Sequence, residues 1–102
     1  MKQVRKTKAT KPAVDKVGAV IAQRQATHGS FEDFAKVENA LLEAVQAGKN
    51  WDSLDDVIKS AIRMNQHKIA RIVVGNPYEL DHYVDAQGYM RLGEIYVAKK
   101  GE

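Results

Sequence analysis

A chain of 102 residues, 44% hydrophobic and 28% charged, has the makeup of one ordinary globular domain with a single modest core. It has no cysteine, which excludes disulfides and thiolate metal sites, and no apolar run nears the roughly 18 residues of a membrane span. The formal charge of +3 is concentrated at one end: Lys2, Arg5, Lys6, Lys8, Lys11 and Lys16 face only Asp15, and the rest of the chain is net acidic.

Residues 1–11 have little to bury and read as a flexible, disordered basic arm. It is either a solubilising terminus or a phosphate-binding tail; with no aromatic residue in it, base stacking has no platform there. It also lacks the apolar segment and cleavage site of a signal peptide, so a cytoplasmic location is expected.

A single all-α domain is expected over residues 12–98. The first helix spans Pro12 to Ala26, with Val14, Val17, Ile21 and Ala22 at helical spacing. Gly29 suits the left-handed residue after it, and Ser30 with Asp33 marks the next N-cap. The second helix runs from Phe31 to Ala47 on a stripe of Phe34, Val37, Leu41 and Val45, supported by Phe31 and Leu42. Glu38 lies at the edge of that stripe, where a carboxylate is costly unless a cation or hydrogen bonds meet it.

Trp51 precedes a third helix, Leu54 to Val74, whose stripe is Leu54, Val57, Ile58, Ala61, Ile62, Ile69, Ile72 and Val73. Asn65 interrupts that stripe and needs partners for its amide. The break Gly75-Asn76-Pro77 follows, with Gly75 left-handed and Asn76 and Glu79 as a capping pair. The fourth helix runs from Pro77 to Ala98, with Leu80, Val84, Leu92 and Ile95 buried and Gly88 permitting close contact; residues 99–102 fray. The architecture expected is therefore a helical bundle of four helices in two antiparallel hairpins.

A break this short makes the last two helices antiparallel neighbours, which sets Arg71 near Asp81 and Lys68 near Asp85. These charges form either two register-fixing ion pairs or a site. In the second reading Asp81, Asp85 and Glu38 ligate Mg²⁺, a hard ion that takes oxygen ligands, while Lys68 and Arg71 hold phosphate oxygens. His28 and Tyr89 are further candidates for contact with a ligand or partner.

Arg24-Gln25-Ala26-Thr27-His28-Gly29, then Phe34, then Lys68-Ile69-Ala70-Arg71, then Asp81-x-x-x-Asp85-x-x-Gly88-Tyr89 together resemble a family of small proteins from phages and prophages. The Lys-Ile-Ala-Arg and Asp-x-x-x-Asp arrangement is also similar to part of the MazG-like all-α nucleoside triphosphate pyrophosphohydrolases. That resemblance implies acidic Mg²⁺ ligands on neighbouring helices and dimers or tetramers. The MazG-like pattern carries an E-E-x-x-E cluster, and here Glu38 and Glu43 have the wrong spacing for it. The expectation is a phage-type accessory protein that binds a host protein or a nucleotide without catalysis, acting as a homodimer. A Mg²⁺-dependent pyrophosphohydrolase and nucleic-acid binding through the arm are the alternatives.

Overall fold

The computed structural model describes residues 15–26 and 29–101, and every long regular element among them is an α-helix. These are α1 (15–26), α2 (Phe31–Gln46), α3 (Asp56–Val74) and α4 (Leu80–Gly101), with a short 3-10 turn at Trp51–Ser53. The expected arm, residues 1–11, lies outside the described residues.

The helix starts follow the capping chemistry in part. Ser30 Oγ accepts the Asp33 amide at 3.1 Å at the head of α2. Asp55 caps α3 by position only, because its carboxylate accepts the Tyr96 hydroxyl at 2.9 Å instead. The last corner departs from expectation. Gly75 has φ −104° and ψ −134°, so the chain leaves α3 without a left-handed residue. Asn76 accepts the Tyr78 amide through its side chain at 3.0 Å, the self-contained turn that asparagine makes readily. This turn, braced by the Tyr83 hydroxyl on the Pro77 carbonyl at 2.6 Å, moves the start of α4 from Pro77 to Leu80.

α3 is the central element, antiparallel to both neighbours. Glu38 of α2 meets His67, and Phe34 meets Arg71. On the other side Asp55 meets Tyr96, Ala61 stands opposite Gly93, and Lys68 meets Asp85. The half-buried face of α2 is the expected one, Phe34, Val37, Leu41 and Val45, but Phe31 is exposed at its end.

The stripe expected on α4 is not the one that packs. His82, Ala86, Tyr89, Gly93 and Tyr96 turn toward α3, whereas Leu80, Val84, Leu92 and Ile95 are exposed. The reason is distance between helices. A Cβ at Gly93 would stand 3.3 Å from the Ala61 Cβ, so the helices approach where both side chains are small. Gly88, the glycine expected to permit such contact, has nothing within 4 Å of its would-be Cβ, and neither has Gly18. On α3, Val57, Ile69 and Val73 are likewise exposed, and Ala70 is the sole buried apolar residue among those described.

Candidate functional site

Two arginines and two phenyl rings share one open cleft where the end of α1 and the start of α2 meet the last turns of α3. It encloses ≈ 720 Å³ and is lined by Ile21, Arg24, Gln25, Gly29, Phe31, Phe34 and Arg71. Local sequence explains the placement. Gly29, with φ +82°, turns the chain sharply after α1, and its amide closes that helix on the Gln25 carbonyl at 2.8 Å. The turn leaves no room for a side chain, since a Cβ there would stand 2.5 Å from the Val74 carbonyl oxygen. α1 is thus anchored against the end of α3, and Arg24 and Arg71 open onto the same space.

A row of contacts runs inward from this cleft. The Phe31 and Phe34 rings are stacked with centroids 6.1 Å apart, and the Arg71 guanidinium lies over Phe34 at 5.5 Å from the ring centre. Behind Phe34 stands His67, with its ring centre 5.7 Å away and its Nε2 3.5 Å from the Glu38 carboxylate. The carboxylate at the edge of the α2 stripe thereby has its partner. Among the described residues no acidic side chain lines the cleft with its two guanidiniums.

Beside Arg71, on the α3–α4 side, Lys68 Nζ meets Asp85 at 2.9 Å, the pairing expected across the corner. Lys68 is 11% exposed and Asp85 48%, so the ammonium is the more deeply placed partner. Arg71 differs from expectation: it stands over Phe34, and Asp81 is exposed at the start of α4. Between these groups His82 is 2% exposed. Burial, and then the nearby positive charges of Lys68 and Arg71, hold its pKa below the ordinary 6.5 against the weaker pull of Glu79 and Asp85.

The remaining candidates are dispersed. Tyr89 lines a groove between α3 and α4 with Ala61 and Met64, away from the cleft. His28 lies outside the described residues. Among the described residues no three or more His, Asp or Glu side chains group closely enough to hold a metal ion, so Glu38, Asp81 and Asp85 do not stand as one Mg²⁺ site.

Sequence reasoning placed Phe31 in the core and gave Arg24 no role outside its motif. The signal for both was present: Gly29 fixes a reversal five residues after Arg24 and two before Phe31. It also put the buried polar residue of α3 one position early. Asn65 satisfies its amide on the Ala61 carbonyl at 3.2 Å, and Gln66, 4% exposed, is the polar group enclosed.

Compared with protein-family models, with curated proteins and with solved structures, the chain matches none of them. Its function is therefore argued from the cleft.

Proposed function

We propose that this protein binds a nucleotide, without catalysing its breakdown, in the cleft between α1, α2 and the end of α3. The observation that supports this reading is the lining itself: two guanidiniums, two stacked phenyl rings and, among the described residues, no carboxylate. Guanidiniums hold phosphate oxygens through paired hydrogen bonds, and an exposed phenyl face accepts a flat base. The exposed Phe31 ring, at the end of the Phe34–His67 row, offers that face. Binding without hydrolysis fits the engagement of two candidate acids elsewhere, for Glu38 serves His67 and Asp85 serves Lys68. A phage-type accessory role in the bacterial cytosol, in which such a protein sequesters a nucleotide, is consistent with the Lys-Ile-Ala-Arg and Asp-x-x-x-Asp resemblance.

Calorimetric titration with a panel of nucleoside mono-, di- and triphosphates tests this directly. Binding that strengthens with phosphate number and weakens about tenfold in Arg71→Gln or Arg24→Gln supports the proposal. Phe31→Ala should remove discrimination between nucleotides and inorganic polyphosphate. Absence of binding across the panel by folded protein, or affinity unchanged in both arginine variants, would refute it. Release of pyrophosphate in the same samples with Mg²⁺ would replace it with the hydrolase reading.

A further inference from the structure

α4 has a second apolar stripe, largely exposed, whose Leu92 borders the groove between α4 and α3. Leu80, Val84, Leu92 and Ile95 are each between 46% and 69% exposed, and their spacing keeps them on one side of the helix. Exposed apolar side chains scattered singly are ordinary, but four along one helix face form a contiguous patch. The patch is symmetric in sequence about Gly88, with two large residues before it and two after. Gly88 itself carries no side chain and has nothing within 4 Å of its would-be Cβ.

We infer that this face is a two-fold interface between copies of the chain, in which α4 crosses its mate in antiparallel orientation at Gly88. The order of charges favours a second copy as the occupant and fixes the direction. Asp81 and Asp85 lie in the first half of the helix, and Arg91, Glu94, Lys99 and Lys100 in the second, which leaves the first half net acidic and the second net basic. Antiparallel mates therefore set the net acidic half against the net basic one, whereas a parallel pair would set like on like. With the crossing at Gly88, Val84 meets the mate's Leu92, and Asp85, which already holds Lys68 of its own chain, comes level with the mate's Arg91. The existing Arg91–Glu94 pair is exposed on both sides and offers little resistance to that exchange. A symmetric contact of this kind closes on itself, so it yields dimers rather than chains. It gives the association of copies expected from the sequence a definite location, and it does not depend on the nucleotide cleft.

Sedimentation of the full-length protein across the micromolar range should show twice the chain mass of 11.4 kDa. Gly88→Leu should raise the dissociation constant at least about tenfold while helical circular dichroism is kept, because the position is open within one chain. The chain has no cysteine, so single cysteines report the geometry. Under mild oxidant Gly88→Cys should cross-link to its mate, and Leu80→Cys should not, its two copies lying about 24 Å apart along the axis. A monomer throughout, a dimer indifferent to Gly88→Leu, or cross-linking at Leu80→Cys as efficient as at Gly88→Cys would each overturn the inference.

Discussion

Replacing Gly29 by alanine tests the corner that assembles the cleft. Gly29 is the one residue among those described with positive φ, at +82°, and a left-handed conformation costs an alanine about 1–2 kcal/mol. The added methyl would also stand 2.5 Å from the Val74 carbonyl oxygen, 2.8 Å from its carbonyl carbon and 2.6 Å from its Cγ1. Two of those atoms are backbone at the last residue of α3, which cannot swing aside as a side chain would, so overpacking adds about 1–3 kcal/mol. The combined loss, about 2–5 kcal/mol, should lower the melting temperature by at least roughly 8 °C in a domain of this size. Thermal unfolding followed by circular dichroism measures it. Gly29→Asn separates the two costs: asparagine tolerates the left-handed region but keeps the collision, so it should remain well below the parent. A Gly29→Ala protein melting within a degree or two of the parent would refute the reasoning about how α1 is held.

Asp85→Asn strands the largely desolvated Lys68 ammonium and should cost about 1–2 kcal/mol in urea unfolding, with Lys68→Met added to it recovering most of the loss. If the double variant loses as much as the sum of the singles, the two groups are not coupled. For His82, the unfolded chain binds a proton as pH falls through 6.5, while the folded protein, with its pKa held lower, does not. Stability should accordingly be flat above that pH and decline below it, and His82→Gln should remove part of that decline, as urea midpoints at a series of pH values would show. Two of the helix glycines, Gly18 and Gly93, should behave oppositely. Gly18→Ala, with open space around it, should stabilise by about 0.5–1 kcal/mol, while Gly93→Leu, facing Ala61 at contact distance, should force α3 and α4 apart and destabilise by more than 1 kcal/mol.

The helices, their order and most of their ends were legible because periodicity and capping are local. Ser30 and Asp33 open α2 as their types require, and Gly29 takes the left-handed conformation its position demanded. The Lys68–Asp85 pair was legible for a related reason: a short corner fixes which residues lie opposite each other. What failed was the assignment of faces on α4. Size and hydrophobicity favoured Leu80, Val84, Leu92 and Ile95, yet the helix turns its small and amphipathic residues to α3, because Ala61 and Gly93 let the backbones approach. A stripe of histidine, alanine, tyrosine and glycine is weak by hydrophobicity alone. The cleft was hidden for another reason: it joins Arg24 and Phe31 to Arg71 across nearly half of the chain, and no local pattern reports such a meeting.

α1 has no buried residue along its described length, yet it carries one of the two arginines of the cleft. A strut held chiefly at its foot can lean away, and each excursion takes half of the positive charge with it. If the cleft holds a nucleotide as proposed, occupancy and closure become a single equilibrium, and the affinity is the intrinsic one scaled by the fraction of molecules with the strut upright. A brace that locked α1 in place would tighten capture and slow release without touching the ligand at all.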